Sequence, residues 1–250
     1  MRFALLPRMA AATLALFLLR NPLFGSSPLK DFPRIVLWAW ERPEDLRFLA
    51  GRKVGVAFLA ETVRFSGGAT QVLRRRQPLL VDPATPLMAV VRVETTRGAK
   101  AALSAEQMDA VVTTALRAAE LPRVSAVQID SDAVASERAF YRKMLTELRA
   151  RLSTRIGLSF TALASWCLGD RWLEDVPVDE AVPMFFQMGG ESASIRVRSA
   201  PSHLAPVCRS SIGLSMEEKT ILPAGRRVYL FSGVPWTEAI FETAVGRTDP

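Results

Sequence analysis

Short apolar runs along the chain alternate with amphipathic or loop segments, in the rhythm of repeated strand–helix units. Eight runs have the length and residue types of β-strands: Ile35–Glu41, Lys53–Glu61, Met88–Thr95, Ala126–Asp132, Leu158–Trp166, Ala181–Met188, Ser211–Glu217 and Arg227–Ser232. Strands that alternate with helices predict a parallel sheet, and eight of them in about 220 residues match a (β/α)8 barrel. The predicted fold is therefore α/β, a single TIM-barrel-like domain. An open doubly wound sheet is the alternative, although no glycine-rich phosphate fingerprint follows the first strand.

Two helices between the strands are clearly predicted. Ser104 and Gln107 have the spacing of a capping box at the start of an amphipathic segment that runs to Glu120. A second segment runs from about Ser136 to Leu152, and a final one, Thr237–Val245, could close the barrel. The later connections are shorter and less regular, so we expect some helices to be reduced.

The N-terminus has the pattern of an export signal. Arg2 and Arg8 precede the uncharged stretch Met9–Leu19, which matches a signal-peptide core and is too short for a bilayer span. We expect a signal peptide or signal anchor over 1–20, a Pro-rich linker over 21–33 and the barrel over 34–250. The protein would then be exported, either periplasmic or anchored in the inner membrane and facing the periplasm. Cleavage stays open, and a buried N-terminal helix is the alternative.

Composition narrows the function classes. The 49% hydrophobic content supports a well-filled core. The net charge of +7, taken alone, would be compatible with nucleic-acid binding. The basic residues are scattered, however, and Arg74–Arg76 is the one tight run, so no nucleic-acid partner is expected. The single histidine, His203, cannot build a multi-histidine metal site. Cys167 and Cys208 lack metal-ligand spacing, and we expect free, packed thiols; pairing in an oxidising compartment is the alternative. No cofactor is predicted.

Acidic residues collect at the ends of the predicted strands: Glu41, Glu61, Glu94, Asp132, and Glu217 with Glu218. In a barrel the C-terminal ends of the strands meet at one mouth, so these acids would converge there. Helix caps or rim charges are the alternative interpretation for any one of them.

The fourth strand carries the most information. The strand period of two sends Val127 and Ile129 to the helix layer, while Gln128, Asp130 and Asp132 face the barrel axis. Acids two positions apart lie roughly 6.5–7 Å apart, a distance at which like charges separate two pKa values and suit acid–base work. Asp132 is the candidate acid/base, and Asp130 and Glu94 would assist it or supply the second carboxylate. A buried structural Asp130 and a capping Asp132 are the alternative.

Further residues are predicted to bind substrate at the same mouth. Arg92 shares a strand face with Glu94, where it could offset acidic repulsion or form a scaffold ion pair. Tryptophans near strand ends are platforms for sugar rings, with core packing as the alternative. The substrate-binding set is Gln128, Arg92, Glu61, Trp40, Trp166, Gln187, Glu217 and Trp236.

Several blocks of the chain resemble an uncharacterised bacterial family, domain-of-unknown-function family 3142. The blocks are Val127–Ala133, Arg138–Tyr141, Leu158–Cys167, Glu180–Met184 and Gln187–Gly189. The resemblance covers roughly Ile35 to Trp236. It implies a barrel-like fold and leaves the reaction open.

A more distant similarity is to chitinase-like glycosidases, which carry acids at alternate positions on their fourth strand, the last being a glutamate general acid. Here Gln128 takes the place of the first acid and Asp132 that of the glutamate. The shorter aspartate retracts the carboxyl by about 1.5 Å, which impairs a positioned proton transfer.

These observations lead to three hypotheses. The first is an exported carbohydrate-active barrel, glycoside hydrolase-like, with a glycan or another small molecule as its ligand. The second is a non-catalytic glycan-binding or envelope scaffold protein that uses the same cleft. The third is a divalent-metal site, Mg²⁺ or Ca²⁺, ligated by these carboxylates. The sequence does not determine the oligomeric state.

Overall fold

The computed structural model describes residues 27–131, 133–168, 171–186, 201–218 and 222–246. Within them the strands are β1 (Ile35–Ala39), β2 (Glu44–Asp45), β3 (Val54–Ser66), β4 (Ala69–Arg74), β5 (Leu79–Leu80), β6 (Leu87–Thr95), β7 (Val124–Ser131), β8 (Gly157–Leu163), β9 (Glu180–Met184), β10 (Ser211–Ser215) and β11 (Arg227–Phe231). The helices are α1 (Ala105–Ala119), α2 (Arg138–Arg151), α3 (Ala164–Cys167) and α4 (Glu238–Val245). Short 3₁₀ helices cover Arg47–Leu49, Ala135–Glu137, Arg171–Leu173, Pro201–His203 and Pro206–Cys208. The predicted signal segment, 1–20, lies outside the described residues.

Eight parallel strands close into a barrel. Their order is β1, β3, β6, β7, β8, β9, β10, β11, and β1 pairs in parallel with both β11 and β3. The closing pairs are in simple register, Ile35 with Val54 on one side and Ile35 with Val228 on the other. The predicted TIM-barrel-like fold is confirmed, and an open sheet is excluded.

The strand period of two divides the core into two apolar clusters. One fills the barrel interior and includes Val36, Trp38, Ala57, Met88 and Tyr229. The alternate residues of the same strands belong to the second cluster, which lies between the barrel and the helices. In the described ranges no helix has the length and apolar character needed to cross a membrane.

A β-bulge in β3 reverses the expected direction of one predicted site residue. Leu59 pairs with Val90, but the next pair is Glu61 with Val91, so Ala60 is an extra residue. The Glu61 side chain consequently faces outward, where its Oε2 lies 2.6 Å from Nη2 of Arg117 on α1. The prediction that Glu61 faces the mouth is therefore wrong, because simple alternation does not anticipate a bulge.

The helical layer is uneven. Helix α1 begins at the predicted cap, where the Ser104 hydroxyl accepts a hydrogen bond from the Gln107 backbone N–H. Between β3 and β6 the chain forms no helix, and the hairpin strand β4 returns antiparallel to β3 instead. The final helix, α4, is present as predicted, with the Thr237 hydroxyl at its N-terminus.

Residues 27–33 plug the bottom of the barrel. Leu29 and Phe32 are buried against Gly157 and Gly55, where a Cβ would lie 2.6 Å from Leu29 Cδ2 and 2.8 Å from Phe32 Cε1. The Arg227 guanidinium donates hydrogen bonds to the backbone carbonyls of Leu29 and Phe32. The described part of the predicted linker therefore belongs to the barrel core.

Cys167 and Cys208 form a disulfide, with a Cα–Cα distance of 6.0 Å. The prediction of free thiols is wrong. Strand β8 ends at Leu163, so Cys167 lies in α3, in the outer layer, and Cys208 lies in the 3₁₀ helix before β10. The Ala205 N–H donates to the Cys167 carbonyl at 2.8 Å, and this bond brings the two segments together.

Enlarging Gly157 should destabilise the protein through the plug. We expect Gly157→Ala to cost about 1–3 kcal/mol from overpacking against Leu29, and Leu29→Ala to cost about 2–5 kcal/mol from the cavity it leaves. Urea unfolding of the double variant should show a cost well below the sum, because Leu29→Ala removes the clash. Gly68→Ala, with open space at its Cβ position, is the control, and additive costs would contradict the plug contact.

Reduction should destabilise the barrel. The cysteines are 41 residues apart, and closing a loop of that length contributes about 2–4 kcal/mol. We expect dithiothreitol to lower the Tm of the wild type by at least 5 °C, a shift of the size expected for about 2 kcal/mol. The Cys167→Ala/Cys208→Ala variant should melt at the reduced Tm whether or not the reductant is present. A wild-type Tm unaffected by reductant would rule out the bond.

Candidate functional site at the mouth of the barrel

One half of the mouth is a network of ion pairs on β3, β6 and β7. Glu94 lies between two arginines, with its Oε1 2.7 Å from Arg64 Nε and its Oε2 3.3 Å from Arg92 Nε. Arg92 Nη1 lies 3.0 Å from Asp130 Oδ2, and the Thr161 hydroxyl donates to Asp130 Oδ1 at 2.8 Å. Arg92 therefore joins two of the three predicted catalytic acids.

The side chains of this ion-pair network become less exposed to solvent from the rim of the mouth toward the barrel interior. The side chains of Arg64, Glu94 and Arg92 are 41%, 30% and 28% exposed, whereas that of Asp130 is 9% exposed. The charged atoms of Glu94 are accessible from the mouth, and Asp130 forms the floor beneath them. Because each carboxylate has a cation beside it, the cluster tolerates partial burial.

The other half of the mouth is aromatic. Trp40 is half-buried and packs edge-on against Trp38, with ring centroids 4.3 Å apart. Phe231 lies against both indoles, and the half-buried Phe186 packs on Phe231 at 5.0 Å. The Arg92 guanidinium lies 5.7 Å from the Trp40 ring centroid and so joins the two halves by a cation–π contact.

Phe186 and Phe231 were missed in the sequence analysis. The sequence contains the information that would identify them. Phe186 and Phe231 each lie two positions after an inward-facing residue, Met184 and Tyr229 respectively, and so face the same way. A rule that considers only tryptophans at strand ends does not identify phenylalanines on the same face.

A cavity of about 1270 Å³ opens at this mouth. Its inner part is lined by Trp40, Leu59, Thr62, Arg64, Arg92 and Glu94. It extends past strand β4 to the surface of α1, so it continues outside the barrel as a groove. The mouth is thus both polar and apolar, as expected of a small-molecule site.

Two predicted tryptophans lie elsewhere. Trp166 and Trp236 are each 3% exposed and belong to the outer apolar layer. Trp166 stacks on Phe160, and the Trp236 indole N–H donates to the Trp38 carbonyl at 2.9 Å. Their predicted places at the mouth are wrong because the chain turns outward directly after β8 and β11.

The remaining predicted residues differ in depth. Gln128 faces the interior as expected but is fully buried one layer below Asp130, and its Nε2 donates to Ser159 Oγ at 3.0 Å. Glu217 is exposed just past the end of β10 and lines a separate, smaller cavity beside α4, not the cavity that Arg92 and Glu94 line. Burial opposes the ionisation of Glu217, but hydrogen bonds from the Ser215 hydroxyl and the Gly233 N–H leave its pKa lowered. Asp132 and Gln187 lie outside the described residues.

A second polar layer, below the mouth, was not anticipated. Glu180 is 1% exposed, accepts a hydrogen bond from the Tyr229 hydroxyl, and pairs with Arg227 at 2.6 Å. Burial and the adjacent Glu180 charge raise the pKa of Tyr229 well above its usual value, so the phenol stays protonated and donates. This layer ties β9 to β11 near the bottom of the barrel, where Glu180 is buried and the Arg227 side chain is 11% exposed.

No group of three His, Cys, Asp or Glu side chains with metal-binding geometry occurs in the described part of the chain.

Removing the central guanidinium should cost more than removing the outer one. We expect Arg92→Met to destabilise the protein by about 1–3 kcal/mol, because the mostly buried Asp130 loses its ion pair with Arg92. Arg64→Met, at a more exposed position, should cost below about 1 kcal/mol. Urea unfolding at pH 7 measures both, and equal costs would show that Arg92 does not hold the cluster together.

Comparisons with known proteins agree with this architecture. Residues 83–176 match the family model described as Domain of unknown function (DUF3142). This segment contains β6, β7 and β8, and with them Arg92, Glu94 and Asp130. The resemblance to that family is therefore confirmed over this part of the chain. A search of curated proteins found no match.

Solved structures with a similar fold include two spore cortex-lytic enzymes SleL. The Bacillus cereus enzyme is 17% identical with a TM-score of 0.50, over 73% of this chain and 51% of that one. The Bacillus megaterium QM B1551 enzyme is 11% identical with a TM-score of 0.51, over 77% and 54%. The catalytic domain of a family GH18 chitinase from the fern Peteris ryukyuensis is 13% identical over 86% and 96%, with a TM-score of 0.49. The chain spans about half the length of the two SleL proteins, and the likeness to them shows the barrel fold.

Proposed function

We propose that this chain is an exported, carbohydrate-active barrel of the glycoside-hydrolase-like type that binds a glycan at its mouth. The observation that carries the proposal is that Trp40, Arg92 and Glu94 line one open cavity at the C-terminal ends of the strands, with Asp130 buried behind Arg92. In barrels of this fold the chemistry takes place at that end.

The two halves of the mouth suit the two faces of a sugar. A pyranose ring presents apolar C–H groups that pack on an indole, and hydroxyls that need polar partners. The half-buried Trp40 offers the platform, and the partly exposed Glu94 and Arg64 offer an acceptor and donors at its side. Similarity of fold to the cortex-lytic enzymes supports a glycan over other small molecules.

Asp132 is our candidate for the general acid. It follows Asp130 by two positions, so a continued strand would direct it to the same face, nearer the rim. Asp130 itself is held by Arg92 and Thr161.

A non-catalytic glycan-binding protein is the second candidate, and the contacts of the acids favour it. Hydrolysis by two carboxylates needs a partner acid about 5–5.5 Å or 6.5–9.5 Å from the first. Glu94 and Asp130 are engaged in ion pairs, Glu61 faces outward, and Glu217 accepts hydrogen bonds from Ser215 and Gly233. The short side chain at position 132 adds to the case for binding without turnover.

Export is part of the proposal. The hydrophobic stretch Met9–Leu19 has the form of a signal segment. The Cys167–Cys208 disulfide supports the same location, because such bonds persist in oxidising compartments and are rare in the cytosol.

Substitutions at positions 132 and 40 separate the two candidates. With chitin oligosaccharides and solubilised cell-wall glycan fragments as probes, Trp40→Ala should weaken binding at least tenfold by calorimetry. If the protein is an enzyme, Asp132→Asn should lower turnover at least a hundredfold, measured by chromatography of products, while binding is kept. Glu61→Gln, an outward-facing acid, is the control and should change neither.

Each result has a defined meaning. Binding by the wild type without any turnover supports the non-catalytic candidate. Binding that is unaffected by Trp40→Ala, or the absence of binding to any of these glycans, overturns the proposed site.

A further inference from the structure

Strand β4 has an open edge. It pairs with β3 on one side, and in the described ranges no strand lies along its other side. All six of its residues, Ala69–Arg74, are exposed or half-exposed. An unpaired edge of this length presents main-chain donors and acceptors to solvent.

The register shows which backbone groups are available. The hairpin turns at Gly67, with φ of 58°, and Gly68, and the pair Ser66–Ala69 closes it. Antiparallel pairs alternate between hydrogen-bonded and non-hydrogen-bonded, so Ala69, Gln71 and Leu73 bond to β3. Their neighbours Thr70, Val72 and Arg74 direct their N–H and C=O groups outward. The Arg75 N–H bond to the Ala60 carbonyl, at 2.8 Å, fits this alternation.

The edge lacks the usual protection. Natural edge strands are blunted by proline, by inward-pointing charges, by bulges or by a covering segment. Strand β4 has the sequence ATQVLR, with one charged residue at its end, and Val72 is 39% exposed. Such an edge is suited to an added strand, whose main chain provides the affinity.

A groove beside the edge would receive the side chains of that strand. Residues 70, 72 and 74 share the face of their β3 partners Phe65, Val63 and Glu61, which is the face toward α1. The space on this side is lined by Val72, Arg74 and five residues of α1: Asp109, Ala110, Thr113, Thr114 and Arg117. The Asp109 carboxylate is paired with Arg151 at 3.0 Å. It exists because a hairpin takes the place of the helix that a regular barrel would have between β3 and β6.

The charges around the edge select the partner. Arg74 and Arg76 make no ion pair with any acid in the described residues, and their side chains are exposed. The nearby Glu41 accepts the backbone N–H groups of Arg76 and Gln77 through its Oε1 and makes no ion pair with Arg74 or Arg76. An acidic strand would neutralise both arginines. A second copy of this chain would bring more arginine to the edge, and one six-residue strand pair buries too little area for a stable dimer.

We propose that the β4 edge is a docking site for an extended acidic peptide segment of a partner protein, which adds as a strand beside Thr70, Val72 and Arg74.

A peptide probe tests the proposal directly. The probe is a fluorescein-labelled octapeptide, Glu-Val-Glu-Thr-Glu-Val-Glu-Thr, and its lysine counterpart is the charge control. Fluorescence anisotropy should show binding of the acidic peptide that weakens as salt rises, with at least tenfold weaker binding of the lysine peptide. Binding of both peptides alike would contradict the assigned charge preference.

Val72→Pro removes an outward N–H without breaking a β3 hydrogen bond, a change that edge strands accept. It should weaken binding of the acidic peptide at least tenfold, whereas Val72→Thr, which keeps the N–H, should leave binding within twofold. Equal binding by the folded proline variant overturns the proposal. Dimerisation of the wild type in sedimentation that Val72→Pro abolishes without peptide would assign the edge to a second copy and also overturn it.

If the proline variant does not fold, hydrogen exchange on the wild type tests whether the peptide adds to β4 as a strand. Saturating acidic peptide should slow exchange of the Thr70, Val72 and Arg74 amides and leave those of Ala69, Gln71 and Leu73, already bonded to β3, unchanged. Uniform protection, or none, contradicts strand addition.

Discussion

The pairing of β1 with both β11 and β3 is the constraint on which the rest of the structure depends. Because the ring is closed, every strand has one face toward the interior and one toward the helices. Side chains that are far apart in sequence, such as Trp40 on one side and Glu94 on the other, therefore line one mouth. An open sheet with the same strands would leave them on an extended surface.

Within that mouth, Arg92 connects the acidic side chains to the aromatic half. It pairs with Glu94 and Asp130 and lies over the ring of Trp40. A single guanidinium can do this because it is planar and presents several donors in fixed directions. Arg92 stabilises Glu94 and Asp130 close to each other, and it also engages both carboxylates in ion pairs. The same geometry is therefore compatible with a binding protein and with an enzyme whose proposed proton donor is Asp132.

The outer layer departs from a regular barrel where its helices are missing or short. The hairpin between β3 and β6 leaves a strand edge open, and the short α3 is braced by the Cys167–Cys208 bond. At the bottom, Leu29 and Phe32 fill space that two glycines leave free. Where the helical layer is reduced, a disulfide braces one segment, and in another place one strand edge is left exposed.

The sequence by itself determined the eight barrel strands, the two long helices and the inward face of Gln128 and Asp130. Repeats of 2 residues in a strand and 3.6 residues in a helix can be recognised from neighbouring positions in the sequence. Only the tertiary structure decided the outward turn of Glu61, since a bulge arises from pairing with the next strand. It alone decided that Trp166 and Trp236 pack in the outer layer, that Cys167 meets Cys208, and that Arg92 joins two acids to Trp40. These contacts depend on which distant segments approach each other in space, and a local pattern carries no information about that distance.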